Sequence, residues 1–464
     1  MPKTGNQLLP QSHLRDPGTL VTGKTVFYVG LAIAIAGISL ATLKVDPVFL
    51  IGGIIGLLGL LLVFKYPFFG FFLYAVLYFL RPGERYVALA PLRLELVFGL
   101  MLLAAIAISD ALRGSRLRFP TDRISVSFFV FIGALGLCTV FSEWKSESAN
   151  VVFAFVKLFI FYYYLSVLVN TEKRFLYAYW LIVALTTIIG IEAAYNYFTG
   201  HFRFNQGVMR TGGATSYGEH ANSLAMYMAT TIPMLVYLIT RYRSMLVRAI
   251  GFSMIGICFL TLLITASRSG VLCILAIAFC YAWFSRHRVA YIAGLVLLSV
   301  VTWVALPEQY KARYGSIASS QIDESSQGRI DAWKAGLEMF AEKPFVGVGP
   351  GVFAAAYLDR HGVWLYSHSL YIEALAETGV VGTGSFVALL VLMILQLRRM
   401  SRFRSVPDDR HEELQVFARA GYAIIAGLLV AGVFGHILQR DTWYLLAGLI
   451  VARFNLAAAE TSGA

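Results

Sequence analysis

The sequence is poor in charge, since Asp, Glu, Lys and Arg together make up only 14% of its 464 residues. Soluble globular domains carry about a quarter charged residues, so this chain is not expected to be one. Hydrophobic residues make up 58%, and the mean hydropathy is +0.70. These values are typical of a polytopic membrane protein. We therefore predict one all-α membrane domain.

Cysteine is also scarce, and none of the four residues has a C-x-x-C partner. Each lies inside an apolar run and is expected to behave as a small hydrophobe, so neither a disulfide nor a zinc site is predicted. The sequence has no His-Glu-x-x-His, no Asp-x-Asp and no cluster of carboxylates outside the membrane that would hold magnesium or manganese. We expect no metal and no other cofactor. The four cysteines are Cys138, Cys258, Cys273 and Cys280.

About fourteen apolar runs reach, or nearly reach, the roughly 20 residues that a hydrocarbon core requires. Because some runs are short enough to be re-entrant or tilted, we predict about 12 to 14 transmembrane helices. The runs lie near 26–43, 48–64, 67–80, 94–109, 124–141, 151–169, 177–198, 222–240, 248–266, 270–285, 289–306, 379–397, 419–438 and 441–455.

Lys and Arg are concentrated in alternate connections, and positive charge tends to stay on the cytoplasmic side. This bias predicts a cytoplasmic N-terminus. The net charge of +12 is largely explained by these connections and by contact with anionic membrane lipids, so we expect no nucleic-acid binding. The predicted segments are a cytoplasmic tail (1–23), transmembrane helices (24–306), an outer, periplasmic loop (307–378), further transmembrane helices (379–455) and a C-terminal tail (456–464).

Three arginines and one histidine are the candidate site residues. Arg210 and Arg268 lie among Gly and Ser at the outer ends of predicted spans, and Arg329 and His368 lie in the outer loop. A single arginine at a span end is usually an interface anchor. All four residues fall on one side of the membrane, and guanidinium matches phosphate bidentately. We therefore expect the arginines to bind an anionic head group.

The first half of the outer loop has apolar residues at helical spacing, which predicts a helix over 329–341. Ser325 or Ser326 is the expected N-terminal cap, and Lys343-Pro344 ends the helix. Because this helix is amphipathic, we interpret it as a lid that rests on the membrane surface, with Trp333 as an interfacial anchor.

The second half contains a glycine-rich stretch, 347–351, that has no preceding strand and no Gly-Lys-Ser/Thr. We interpret it as a tight turn that brings the backbone back over the helix ends, not as a nucleotide-binding loop. A short helix is predicted over 369–378, capped by Ser367 or Ser369 and ended by Gly379. His368 would then lie at a helix N-terminus, which favours bound anions and a neutral imidazole. The alternative is a histidine that is simply hydrogen-bonded in a loop.

Lysine and glutamate side chains occur inside predicted spans. Lys157 and Glu192 belong to consecutive antiparallel spans, at similar depth below the outer surface. Unpaired charges in the membrane are costly, so we predict an ion pair between them. The alternative is that each side chain reaches water separately.

A family resemblance rests on motifs within about residues 205–395. On these motifs the chain resembles the O-antigen ligase and O-antigen polymerase superfamily of bacterial inner-membrane proteins. The family often has Asn two residues after its histidine, where this chain has Leu370. The matching motifs are Arg210 with Gly213, Asn222-Ser223-Leu224-Ala225, Ser267-Arg268-Ser269-Gly270, Gly328-Arg329 with Trp333, Pro344–Gly351, and Ser367–Glu373 followed by Gly379 and Gly382.

The resemblance implies a glycan donor carried on undecaprenyl diphosphate and an active site that faces the periplasm. It implies that His368, Arg210 and Arg268 belong to this active site, and Arg329 is a further candidate. The acceptor it implies is a glycan, lipid A-core or a protein. The stretch from Pro67 onward is similar to the same region of family members that accompany exopolysaccharide or exosortase loci. The resemblance therefore includes the branch of exosortase-associated O-glycosylation ligases.

We therefore expect an inverting, metal-independent glycan transferase, in which His368 is the general base and the arginines stabilise the departing diphosphate. A polymerase of the same superfamily is the alternative, because the motifs barely separate the two activities. A polysaccharide or lipid transporter is the alternative from another class. A transporter should carry polar residues along a path through the membrane midplane, whereas here they concentrate at the outer side.

Overall fold

The computed structural model describes Gly59 and residues 62–112, 114, 119–205, 208–215, 218–284, 288–315, 324–403 and 407–462. The predicted cytoplasmic tail and the first apolar run lie outside these residues, as does most of the second run. All elements below belong to one compact unit, Tyr66–Ala464.

The described chain consists almost entirely of helices. The first half comprises α1 (Pro67–Leu80), α2 (Pro82–Arg85), a 3-10 helix (Val87–Leu92), α3 (Leu94–Leu112), α4 (Arg123–Val140), α5 (Lys145–Leu168), α6 (Glu172–Phe198), strands β1 (Arg203–Asn205) and β2 (Val208–Arg210), α7 (Ala221–Arg241) and α8 (Met245–Ile264). The second half comprises α9 (Arg268–Trp283), α10 (Arg288–Ala305), α11 (Glu308–Gly315), α12 (Glu324–Glu342), α13 (Phe353–His361), α14 (Leu370–Met400), α15 (Asp408–Gly432) and α16 (Asp441–Ser462).

The helix bundle confirms the predicted fold class. Every apolar run from residue 67 onward contains a helix, and nine helices in the described part of the chain are long and apolar enough to cross a membrane. The chain is thus an all-α, multi-pass membrane protein. Helices α1, α9 and α10 are shorter or less apolar than the other spans. The hairpin of β1 and β2, with Arg203 opposite Arg210, was not predicted.

Aromatic side chains hold the N-terminal helices together. Phe71, Tyr74 and Tyr78 share one face of α1, because they are spaced three and four residues apart. Their rings lie 5.7, 5.6 and 4.9 Å from the ring of Phe161 on α5. These contacts pack α1 against α5.

The predicted ion pair between Lys157 and Glu192 is wrong. Glu192 instead accepts hydrogen bonds from both terminal nitrogens of Arg85, the second at 2.6 Å. The Lys157 ammonium lies 5.8 Å from the centre of the Phe153 ring. Arg85 lies in the connection between α1 and α3, and sequence spacing alone did not indicate that it would approach α6.

The segment between α10 and α14 has its own apolar core. Ala332, Ala335 and Met339 on α12 are buried against Phe353 and Ala356 of α13. Helix α12 already begins at Glu324, so Ser325 and Ser326 lie inside it and neither is the N-terminal cap.

Trp333 on α12 is half-buried, and its indole N–H donates to the Ser367 carbonyl at 3.1 Å. It therefore holds the histidine segment. The interpretation of α12 as a surface lid anchored by Trp333 did not anticipate this contact.

The glycine-rich turn inserts its backbone against a break in α14, as the prediction of a tight turn requires. The break is at Gly379, with φ 57° and ψ −162°. The N–H groups of Val348 and Gly349 donate to the carbonyls of Ala376 and Glu377 at 2.9 Å. A Cβ at Gly379 would lie 2.4 Å from the Phe345 carbonyl carbon, so only glycine allows this approach.

Candidate functional site

The N-terminus of α7 is the point at which the polar residues of one bundle end meet. Its N-cap residue is His220, and Asn222 and Ser223 lie in its first turn. Asn222 accepts hydrogen bonds from Arg210 and from the Ser267 hydroxyl, at 2.8 and 2.9 Å. The Ser223 hydroxyl accepts one from Arg440 at 2.9 Å. One helix end thus fixes side chains from three other segments.

Arg210 closes the hairpin and is held in a defined orientation. Its Nε donates to the Thr265 carbonyl at 2.8 Å, and its Nη2 donates to Asn222. The Thr211 hydroxyl ties the end of the hairpin to the Ala193 carbonyl at 2.8 Å. Arg210 is therefore a preorganised cation and not a mobile interface anchor.

Arg268 is the first residue of α9. Ser267 caps this helix, since its hydroxyl accepts from the Gly270 N–H at 3.1 Å. Because the Ser267 hydroxyl also donates to the Asn222 side chain that binds Arg210, the start of α9 and the end of the hairpin are adjacent. The structure thus brings the segments of Arg210 and Arg268 together.

His368 has a left-handed backbone conformation, with φ 48°. Few residues other than glycine adopt it, and such residues cluster at functional sites. The conformation is held by Trp333, which binds the preceding carbonyl, and by the Ser367 hydroxyl, which donates to the Ser369 carbonyl at 3.2 Å. Ser369 occupies the N-cap position of α14 but makes no capping hydrogen bond, so side-chain capping by this residue was wrongly predicted.

Three rings line the site. The Tyr366 and His436 rings are stacked, with centres 4.9 Å apart and planes 12° apart. The His368 ring lies 5.4 Å from that of His436 in a T-shaped arrangement. His436 and Tyr366 are exposed and His368 is half-buried, so the rings form an accessible surface.

The electrostatics of the site favour neutral imidazoles. Burial lowers the pKa of His368 below its usual value, and the positive charge of Arg329 and the neighbouring His220 lower it further. Burial, together with His368 and Arg440, lowers the pKa of His436 to about 3. His436 keeps an exposed face although protein surrounds it, as a residue in a cleft does. At neutral pH both rings are therefore available as proton acceptors.

Arg329 lies within electrostatic reach of His368, and its guanidinium carbon is 6.0 Å from the centre of the Phe434 ring. Phe434 follows α15, so Arg329 approaches the segment that joins the last two helices. Arg329 thus lies near His368, whereas Arg210 is held in position by its hydrogen bond to Asn222.

Two buried glutamates on α14 fix the loops around the site. Glu377 accepts from the Gly351 and Phe353 N–H groups at 2.6 and 3.1 Å, and so holds the glycine-rich turn. Glu373 accepts from the Leu438 N–H at 3.1 Å. The helix that follows His368 therefore also positions the segment that carries His436.

His436 and Arg440 were missed by the sequence analysis. The apolar run 419–438 predicts a span that includes His436, but α15 already ends at Gly432. Residues 433–440 form a non-helical connection in which Arg440 donates to Ser223. The polar residues from His436 to Asp441 were a signal that would have identified this connection.

No group of three His, Cys, Asp or Glu side chains in the described residues is arranged to hold a metal ion. The four cysteines are unpaired thiols. Metal independence stays a prediction.

Comparison with known proteins finds a family model described as O-antigen ligase that matches residues 253–387. The matched range contains Arg268, Arg329 and His368 but neither Arg210 nor His436. No curated protein matches the chain.

Proposed function

We propose that this chain, whose residues 253–387 match the family model described as O-antigen ligase, is an inverting, metal-independent glycan transferase of that superfamily. In this proposal the donor is a glycan on undecaprenyl diphosphate and the acceptor supplies a hydroxyl. The observation that best supports the proposal is His368, because burial and the positive charge of Arg329 lower its pKa and Trp333 holds its left-handed backbone.

The proton transfer is assigned to His368. As the acceptor oxygen attacks the anomeric carbon from the face opposite the diphosphate, its proton passes to the imidazole. The bond from the anomeric carbon to the diphosphate oxygen breaks, and the electron pair leaves with the diphosphate. A base that is neutral at the working pH is needed for this step, and the burial of His368 supports it.

Stabilisation of the departing diphosphate is assigned to Arg210, Arg268 and Arg329. Fixed cations stabilise charge that develops on a leaving group, because they need no reorganisation during the reaction. The hydrogen bonds of Arg210 to Thr265 and Asn222 provide such fixation. The long helix α7, whose N-terminus holds Asn222, adds a positive partial charge at the same place.

We assign the protein to the bacterial inner membrane, with the site at the periplasmic face. The distribution of Lys and Arg between alternate connections supports this orientation. Lipid A-core, another glycan or a protein are the candidate acceptors.

The test uses purified protein in lipid vesicles, with undecaprenyl-diphosphate-linked glycan as donor. His368→Ala should lower the transfer rate about a hundredfold to ten-thousandfold and leave donor binding nearly unchanged, because a positioned base contributes that much to rate and little to binding. The control is His361→Ala, an exposed histidine in the same outer segment, which should keep full activity.

A His368→Ala protein that transfers glycan at the wild-type rate would refute the assignment of His368 as the base. A wild-type protein that binds the donor but transfers glycan to no acceptor would favour a transporter. Offering lipid A-core and a second lipid-linked glycan as separate acceptors distinguishes a ligase from a polymerase. Transfer to lipid A-core supports the ligase, and elongation on the lipid carrier supports the polymerase.

A further inference from the structure

A cavity of about 170 Å³ lies between α1, α3 and α5, outside the matched range 253–387. None of the residues proposed above for proton transfer or diphosphate binding lines it. Its polar lining residues are Tyr74, Tyr78, Arg81, Glu95, Lys157 and Gln439.

The charges at the cavity are mixed. Arg81 lies 3.8 Å from Glu95 and 2.8 Å from Glu84. Lys157 adds a second cation to the wall, within the span α5, and none of the described carboxylates forms an ion pair with it. A lysine in a span is costly and marks a candidate functional site.

The remaining walls are aromatic and aliphatic. Tyr74 and Tyr78 provide rings with polar ends, and Leu96, Leu100 and Leu158 provide an apolar side. Cationic hydrogen-bond donors and an anionic acceptor beside aromatic rings suit a neutral polyhydroxylated ring, because its hydroxyl groups both donate and accept hydrogen bonds. A diphosphate offers hydrogen-bond acceptors alone, so it would not use the carboxylate of Glu95.

The cavity adjoins the ring cluster through residues 436–441. Gln439 lines the cavity, and His436, three residues earlier, contacts His368. Three residues span at most about 10 Å, so the cavity and the proposed base are neighbours. The Tyr78 hydroxyl, from the cavity wall, donates to Asp441 at 3.3 Å, and Tyr227 on α7 donates to the same carboxylate at 2.6 Å.

We propose that this cavity is the acceptor subsite, in which Lys157, Glu95 and Gln439 hydrogen-bond a sugar ring of the acceptor. The proposal rests on the proposed function. The arginines of the hairpin, α9 and α12 hold the donor diphosphate on one side of His368, and the cavity holds the acceptor on the side of residues 436–441. A hydroxyl of the acceptor sugar then reaches His368 from the N-terminal helices.

The test measures KM for the acceptor at saturating undecaprenyl-diphosphate-linked glycan, with purified protein in vesicles. The acceptor is lipid A-core or a second lipid-linked glycan, whichever the wild type uses. Lys157→Met and Glu95→Gln should each raise this KM about tenfold, as expected for the loss of one hydrogen bond to a charged group. The KM for the donor should stay within about twofold of the wild-type value, because the arginines are unchanged.

Lys145→Met is the matched control, since Lys145 is an exposed lysine at the start of the same helix. It should leave both KM values unchanged. Glu95→Gln keeps the side-chain shape, so it gives a folded protein for the measurement if Lys157→Met does not.

Two results would overturn the acceptor subsite in an active protein. One is an unchanged acceptor KM in both variants, and the other is a raised donor KM with an unchanged acceptor KM. A wild-type protein that transfers glycan to none of the three candidate acceptors (lipid A-core, another glycan or a protein) contradicts the proposed function itself.

Discussion

A buried ion network at the end of the bundle remote from the site is expected to contribute to stability without contributing to catalysis. Arg453 is fully buried, and it donates to Glu172 at 3.1 Å and to Glu413 at 2.9 Å. Arg410 binds the same two carboxylates at 3.1 and 2.8 Å, and the Tyr237 hydroxyl donates to Glu413 at 2.7 Å. Four helices are joined at this point.

We expect Glu413→Gln to lower the free energy of unfolding by about 3 kcal/mol, the lower end of the cost of breaking a buried ion pair, because the buried Arg453 loses one of its two carboxylate partners and keeps Glu172. Glu413 contacts two arginines and a tyrosine within 3 Å, and its side chain is 6% exposed, so water does not replace the lost interactions. Arg453→Met alone should cost less, since Arg410 still neutralises part of the carboxylate charge. The double variant should cost less than the sum of the two changes, because it removes both buried partners.

Unfolding in lipid vesicles with denaturant is the assay for all three variants and for the control Glu412→Gln, an exposed neighbour. The network lies about 22 Å from Asn222 along α7, by the rise of about 1.5 Å per residue between Asn222 and Tyr237. Transfer activity per folded molecule should therefore match the wild type. A stability loss in Glu413→Gln no larger than that of Glu412→Gln would refute the reasoning.

Further predictions concern the site and the topology. Arg329→Gln should raise the pKa of His368, so the acidic loss of activity in a pH–rate profile should move to higher pH; an unmoved profile would contradict the electrostatic role of this arginine. Arg210→Lys should keep the charge but lose the bidentate geometry, so donor binding should fall, with Arg210→Ala lower still; equal donor affinity in both variants would count against a guanidinium clamp. Single cysteines at Ser319 and Ser405 should react with an impermeant reagent in intact cells only at the first position, and the reverse labelling would overturn the orientation. Chelation should leave transfer by purified protein unchanged, whereas a loss that magnesium or manganese restores would refute metal independence.

The sequence by itself determined the features that depend on local composition and spacing. Long apolar runs predict spans because an unpaired backbone is too costly in a hydrocarbon core, and each run from residue 67 onward contains a helix. Gly379 was identified as a helix break because its conformation is a local property of glycine, and the structure shows that break. His368 stood out because histidine and serines interrupt an apolar sequence.

Only the tertiary structure decided which residues meet. Glu192 pairs with Arg85, which is 107 positions away, and Arg440 binds Ser223 across 217 positions. No pattern along the chain encodes such contacts, because they depend on how helices pack side by side. His436 was hidden for the same reason: its apolar neighbours predicted a continuing span, whereas the buried Glu373 binds the backbone of residue 438 and holds the chain as a non-helical connection beside His368.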